Sequence, residues 1–529
     1  MNTPLVFGFL GNVCHLIGAG MLVCLPWAHP FFGGNWNCER SGVFGLIGSL
    51  VLCMTLGFVL RFLGRNASES FSRREATAIV VLSWILASVL GMLPFLLSGA
   101  QRMKDVPMSV CDALFESQSG FSTTGATVFA ELERPDLLPR CILFWRSTTH
   151  FLGGLGIMVL FVALLGQGSF GKTMMRFEWS GPASPMERMQ RLATSLLKIY
   201  VTLNILLATA LVFQGLTLFD ALCHSFSTVA TGGFSTFNAG IGHFADSGTL
   251  RSERIEWTLI LFMLLGGTNF VLLYWCTVRK PDRLLRNTEW RVYLGIVCAA
   301  TFLIVCGGVH DNGGNTPIRT IVFHVVSLMT TTGFATDDYE RWNSLSCGVF
   351  LLLMFIGGCA GSTSGGFKVF RVVHVWKLLP LEFEKAYRPN VVRPLLVNGT
   401  PVEKDVRERI LVHLSIMVVV FVMGTLLIAA LEPASTWGPD RGDGIHRLID
   451  GAGATASCMN NIGIGFGLVG PSGNFGNFSE WSKFLLAGLM MLGRLEFFVV
   501  LSLFHRGFWS GWKKDAHSKV PANSSSEWH

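Results

Sequence analysis

Four short stretches share one plan and hold the residues best suited to chemistry. They are Ser119-Gly120-Phe121-Ser122-Thr123-Thr124-Gly125-Ala126, Ser227-Thr228-Val229-Ala230-Thr231-Gly232-Gly233-Phe234, Ser327-Leu328-Met329-Thr330-Thr331-Thr332-Gly333-Phe334 and Ser457-Cys458-Met459-Asn460-Asn461-Ile462-Gly463-Ile464. Each places Ser six residues before a glycine and Thr or Asn two before it. The glycines are 108, 100 and 130 residues apart, which marks a fourfold tandem. Thirteen residues before the glycines stand Asp112, Asp220, Thr320 and Asp450, types that cap a helix by accepting a backbone N–H. That spacing predicts a helix of about two turns between cap and glycine. Such a helix aims its partly negative carbonyl end at the glycine, and the glycine lets the chain turn away with its carbonyls exposed. Four such turns around one axis replace a cation's hydration shell with backbone oxygens. Loops that merely joined helices would need no shared cap, serine and glycine.

The elements that hold these turns follow from composition. The chain has 529 residues, half of them hydrophobic and 14% charged, with a mean hydropathy of +0.49. These values define a polytopic all-α membrane protein. Apolar runs predict ten spans, at 5–27, 42–63, 76–98, 141–165, 192–218, 255–278, 292–309, 345–379, 408–431 and 481–509. The first lacks a basic n-region and is too long for a signal peptide, so it reads as a true span. After residues 1–75, which hold two spans, the order span, re-entrant pore helix, span recurs in 76–191, 192–291, 292–404 and 405–529. The result is a pseudo-fourfold array around one pore, with a cytoplasmic tail closing the last repeat. The 13 cysteines are scattered without a C-x-x-C pair and read as small core residues. No H-E-x-x-H motif supports a zinc enzyme, and no catalytic residues are assigned.

Charge orients the array. Of the 41 Lys and Arg, 26 fall in 61–75, 166–191, 279–291, 367–409 and 506–529. The positive-inside rule makes that face cytoplasmic, with both termini on it. Acidic residues sort the other way, 20 of 34 lying toward the outer face, where an acidic vestibule would concentrate cations.

Two anomalies interrupt the pattern. The span at 345–379 is too long for one crossing, and Gly357-Gly358-Cys359-Ala360-Gly361-Ser362-Thr363-Ser364-Gly365-Gly366 lies in its middle. Glycine this dense breaks a helix, and irregular backbone at that depth survives only against protein or water. A loop there, below the third turn, is expected to gate the path. It is not a phosphate-binding P-loop, because Phe367 stands where Lys is required. Arg494 is the second anomaly, an ionisable side chain in mid-span and so expected to face a cavity or partner. It is suited to hydrogen-bond carbonyls of the Gly-rich loop. Glu496, two residues on, would point elsewhere on a helix and makes a poor partner for it. Lys198 lies nearer a cytoplasmic end and is expected to snorkel.

The stretches SGFSTTGATVF, STVATGGFST, SLMTTTGFAT and CMNNIGIGF, with GGCAGSTSGGFKVFR and MLGRLEFF, resemble the TrkH/TrkG branch of the Trk/Ktr/HKT superfamily of potassium-uptake proteins. The likeness covers about residues 76–509, and the extra N-terminal pair of spans resembles TrkH rather than KtrB. It implies a bacterial inner-membrane protein, usually a homodimer with one pore per subunit, served by a TrkA-like cytoplasmic nucleotide-binding subunit docked on the basic loops. It also implies potassium as the bound and transported ion. The filter positions it carries over are Thr123, Thr124 and Gly125; Thr231, Gly232 and Gly233; Thr331, Thr332 and Gly333; and Asn461, Ile462 and Gly463. Its gate maps on Gly357, Gly358, Gly361, Gly365, Gly366 and Arg494. Gly125 matches the potassium-preferring form, since sodium-favouring HKT members carry Ser at the first filter glycine. Ile464 departs from the family's frequent proline, which puts the stiffness of the fourth turn in question.

Within this reading, a gated pore driven by the membrane potential competes with symport coupled to protons or sodium. Symport would want a titratable relay inside the membrane, and no row of carboxylates lines the second spans. A membrane enzyme or organic-solute transporter is the remote alternative; it would need convergent catalytic groups or an inverted repeat, neither of which is present. The partners expected are monovalent cations and lipid, not nucleic acid.

Overall fold

The computed structural model describes residues 2–66, 73–165, 185–245, 250–309, 316–391, 393–437 and 444–509. The expected tail beyond 509 and most of the 166–191 loop lie outside the described residues. The described residues are mainly helical, with two short antiparallel strand pairs, Gln101–Met103 with Val106–Pro107 and Leu396–Val397 with Thr400–Pro401.

Two long helices come first, α1 (Thr3–Cys24) and α2 (Trp36–Leu63). They approach closely through glycines. A Cβ on Gly11 would sit 2.7 Å from the Gly57 carbonyl oxygen, and one on Gly64 would sit 2.7 Å from the Pro4 oxygen. Small residues at a helix interface are how apolar helices gain packing contacts in lipid, where burial alone gives little. The carboxylate of Glu39 on α2 accepts from the amides of Arg140 and Cys141 at 2.6 and 3.1 Å. It thus caps the N-terminus of a helix about a hundred residues away and ties the N-terminal pair to the first repeat.

The first repeat runs α3 (Arg73–Gly91), pore helix α4 (Val110–Phe121) and α5 (Arg140–Leu165). The second has α6 (Pro185–Phe213), pore helix α7 (Leu218–Val229), then α8 (Leu250–Gly266) and α9 (Phe270–Thr277). The third has α10 (Thr288–Gly307), pore helix α11 (Ile318–Met329), α12 (Ser344–Phe355) and α13 (Val369–Tyr387). The fourth has α14 (Lys404–Leu431), pore helix α15 (Gly444–Met459), α16 (Glu480–Leu495) and α17 (Phe497–Phe504).

Among the described residues six unbroken helices are long and apolar enough to cross a membrane, and two bent pairs qualify as further crossings. The expected segments 141–165 and 345–379 correspond to the 26-residue α5 and to α12 and α13 with a loop between them. Two expected single spans prove to be broken. The second helix of repeat two bends by 104° between α8 and α9, and that of repeat four by 116° between α16 and α17. The first break follows Gly266-Gly267-Thr268-Asn269, where the Asn269 side chain recaps the new helix by accepting from Val271 N at 2.8 Å. The second falls at Glu496, whose φ of 67° ends one helix and starts the other.

Two apolar cores flank the centre. One joins repeats two and three around Tyr200, Phe270, Tyr293 and Phe323; the other joins α1, α2 and repeats one and four around Trp27, Phe115, Trp145 and Met490. The pore helices contribute to both, α4 through Phe115 and α11 through Phe323.

The candidate ion pathway

Each pore helix ends four residues before its glycine and stops in the same way. The amides of Thr124, Gly232, Thr332 and Ile462 donate to the carbonyls of Ser119, Ser227, Ser327 and Ser457 at 2.8–2.9 Å. The amides of Thr123, Thr231, Thr331 and Asn461 donate to the carbonyls three residues back at 3.0–3.3 Å. This is a Schellman ending, in which the residue after the cap takes left-handed dihedrals. Glycine usually fills that position, but here Thr123, Thr231, Thr331 and Asn461 have φ of 49°, 53°, 55° and 56°. A β-branched residue held there is strained by about 1–2 kcal/mol. The dihedral recurs in all four copies, strained at the three threonines and better tolerated at Asn461, so the turn geometry is imposed by its surroundings. Thr123→Gly is therefore expected to stabilise the purified protein by about 1 kcal/mol in thermal unfolding; Thr123 Oγ1 has no hydrogen-bond partner to lose.

The glycines follow at φ of 84°, 81°, 76° and 90°. A Cβ on Gly125 would strike the carbonyl oxygen of Gly232; on Gly233, that of Thr332; on Gly333, that of Ile462; on Gly463, that of Thr124. Every glycine thus abuts the carbonyl that precedes the next copy's glycine, and the fourth returns to the first. The sequence-predicted residues meet in one closed ring.

Side chains brace the ring unevenly. Ser122 and Thr124 share a hydroxyl–hydroxyl bond of 2.7 Å, and so do Thr330 and Thr332. The second and fourth copies lack this pair. In the fourth, Asn461 Nδ2 donates to Thr124 Oγ1 and to the Met490 carbonyl, both at 2.9 Å. The fourth turn is also secured beyond Ile464. Tyr339 Oη donates to the Gly465 carbonyl at 2.6 Å, the Gly465 amide donates to the Val469 carbonyl at 2.7 Å, and the Gly467 amide donates to Glu340. These bonds fasten the backbone just after Ile464.

The helix starts differ from expectation. Ser109 and Thr217 are the caps of α4 and α7, and Asp112 and Asp220 stand one turn inside. Asp112 completes a capping box by accepting from the Ser109 amide at 3.1 Å. Thr320 is likewise one turn inside α11, which begins after Pro317 without a side-chain cap, and Asp450 is well within α15. The first three pore helices are 12 residues, about three turns rather than two.

The acidic vestibule is also thinner than charge counting implied. Asp112 is buried and paired with Lys483 Nζ at 2.6 Å and Arg102 at 3.2 Å. Glu116 is buried and paired with Arg146 at 2.5 Å, whose guanidinium also lies 3.5 Å from the Phe234 ring centre. These carboxylates lock pore helix α4 to α16 and α5 instead of facing water. Removing one partner strands a buried charge, so Arg146→Met is expected to cost about 3–5 kcal/mol in thermal unfolding. Pairing it with Glu116→Gln should recover most of that.

The Gly-rich loop, residues 356–368, lies against the ring. The Gly365 amide donates to Thr331 Oγ1 at 2.7 Å, and a Cβ on Gly365 would lie 2.5 Å from the Asn460 carbonyl oxygen. Thr363 Oγ1 donates toward the carbonyls of Val229 and Gly266 at 2.9 and 3.0 Å. The loop therefore touches repeats two, three and four just beneath their turns. Arg494, 4% exposed, donates through Nη1 to the Thr363 carbonyl at 2.6 Å, as its position in the sequence suggested. Glu496 is not its partner; it pairs with Arg371 of α13 at 2.6 Å across the α16–α17 break.

Sequence reasoning missed Glu289. From the first turn of α10 its Oε1 accepts from the amides of Ala360 and Phe370 at 2.5 and 3.1 Å, holding both the loop and the start of α13. A lone carboxylate at the head of an apolar run was the available signal. Among the described residues no cluster of three or more His, Cys, Asp or Glu is placed to hold a metal ion.

A single chain that wraps four pore helices into a closed ring, with an irregular loop beneath it, defines a pseudo-fourfold membrane transport protein. The TrkH model, described as a cation transport protein, matches residues 46–308 and 314–509. The chain belongs to the TrkH family. It is 34% identical to the Trk system potassium uptake protein TrkH of Salmonella typhimurium, over 87% of this chain and 90% of that one. It is 32% identical to TrkG of Escherichia coli, over 94% and 98%. The crystal structure of the potassium transporter TrkH from Vibrio parahaemolyticus superimposes with a TM-score of 0.81 at 29% identity, covering 96% of this chain and all of that one.

Proposed function

We propose that the chain takes potassium into the cell through a gated pore, with the four-glycine ring as its selective constriction. The observation that carries this reading is the closed contact of Gly125, Gly233, Gly333 and Gly463 with one another's neighbours. In it, Thr123, Thr124, Gly125, Thr231, Gly232, Gly233, Thr331, Thr332, Gly333, Asn461, Ile462 and Gly463 bind the dehydrated ion, chiefly through backbone carbonyls. The inward potential supplies about 2.3 kcal/mol per charge for each 100 mV. The loop at Gly357, Gly358, Gly361, Gly365 and Gly366, latched by Arg494, is the gate.

The same reading places the protein in a bacterial inner membrane, as a homodimer with both termini cytoplasmic. A TrkA-like nucleotide-binding subunit would dock on the basic inner loops. Glu289 stands in one of these, 279–291, so a subunit bound there has a direct mechanical path to the gate. The two carboxylates nearest the loop are engaged: Glu289 by two amides and Glu496 by Arg371. That favours structural roles over a proton relay. In bilayers containing the purified protein, current is expected to reverse at the potassium equilibrium potential and to ignore a pH gradient. A reversal potential that followed pH would replace the pore with symport, and one that followed sodium equally would end the claim of selectivity.

A further inference from the structure

A cavity of about 600 Å³ opens between the Gly-rich loop, α14 and the α16–α17 break. We propose that it is a binding site for a phosphate-type oxyanion. Four cationic side chains line it, Lys368, Arg371, Arg409 and Arg494, against the single carboxylate of Glu496. Glu496 is already committed to Arg371. The Lys368 ammonium donates to the Ser364 carbonyl, which satisfies one of its three protons.

Arg494 carries the inference furthest. Its Nη1 holds Thr363, but Nε and Nη2, on the other edge of the guanidinium, have no partner although the residue is 4% exposed. Nε–H and Nη2–H form the parallel pair of donors that grips two oxygens of a phosphate or carboxylate. Leaving that edge unpaired is costly, and a cluster of positive charges at membrane depth calls for a counter-charge. Lys368 adds a point charge suited to the phosphate's remaining oxygens, and exposed Arg409 stands toward the entrance. The remaining walls are largely apolar, with Phe497, Ile410 and Met417 among them. They admit either free phosphate or the phosphodiester of an anionic lipid.

Binding stands on the cavity alone. Its consequence for transport rests on the gate reading: an oxyanion would cancel positive charge under the ring and raise cation flux.

The test uses the full-length protein, delipidated in a neutral detergent. One arm titrates radiolabelled inorganic phosphate at constant ionic strength; the other titrates phosphatidylglycerol. Saturable binding near one equivalent per chain is expected in at least one arm, and the arm that binds names the source. Lys368→Gln and Arg409→Gln are each expected to weaken it at least about tenfold. Arg409 is exposed, so its variant keeps the test sound if Lys368→Gln misfolds. No saturable binding in either arm, or binding unchanged in the folded variants, overturns the proposal. Rubidium flux into phosphatidylcholine vesicles, with and without the bound species, is measured separately and should rise several-fold. Binding without a change in flux would leave the site standing and count against the gate.

Discussion

Gly333→Ala is expected to reduce rubidium flux in reconstituted vesicles at least about 100-fold while the protein still purifies as a folded species. The added methyl falls on the carbonyl oxygen of Ile462, at a backbone φ of 76°. That dihedral alone costs a side chain about 1–2 kcal/mol. The collision costs more, and it has no soft solution, because what blocks the methyl is main chain of the neighbouring turn. The ring must widen or lose its register, and carbonyl oxygens displaced by an ångström no longer replace the ion's water. Gly295→Ala is the control: a Cβ there meets nothing within 4 Å, so flux should match wild type and thermal stability should be no lower. Unimpaired flux in Gly333→Ala would remove the ring from the permeation path.

Arg494→Ala is expected to change flux in the other direction, raising it about 10- to 100-fold. Arg494 makes one charge-assisted hydrogen bond to the loop, at Thr363 O. Bonds of that class contribute about 1.5–3 kcal/mol, which corresponds to roughly that shift in the balance between closed and open loop. The loop should remain folded in the variant, since Thr363, Gly365 and Ala360 keep their bonds to α7, α8, the turn after α11 and Glu289. Arg494→Lys retains the charge without the planar fork and should fall between the two. A loss of flux in Arg494→Ala, with the protein intact, would reassign the residue from latch to structural support.

The central turns were legible in the sequence because they need particular residues. A chain that leaves a helix and passes another backbone at van der Waals distance requires glycine, and four glycines in equivalent contexts announce the repeat. The Gly-rich loop and Arg494 were legible for the converse reason, as residues that an ordinary span cannot carry. The start of α4 was misread by one turn because a capping box contains two cap-competent residues, and Asp112 was chosen over Ser109. The bends in repeats two and four were hidden by apolar runs of acceptable length, although Gly266-Gly267 and Gly493 marked both. The ion pairs were beyond reach: nothing local to Lys483 indicates that its partner is Asp112, 371 residues earlier. Counting Asp112 among the vestibule carboxylates therefore assigned to water a group that the fold holds buried in an ion pair.

The contact of Gly463 with Thr124, like the bond from Asn461 to the Thr124 hydroxyl across 337 residues, has a consequence for biosynthesis. Translation must deliver nearly the whole polypeptide before the last quadrant can meet the first. Until then, three polar bends are already in the bilayer without the neighbour that completes them. A nascent chain therefore has no working intermediate: a truncated or stalled product is an unsealed assembly that offers quality-control proteases its exposed backbone.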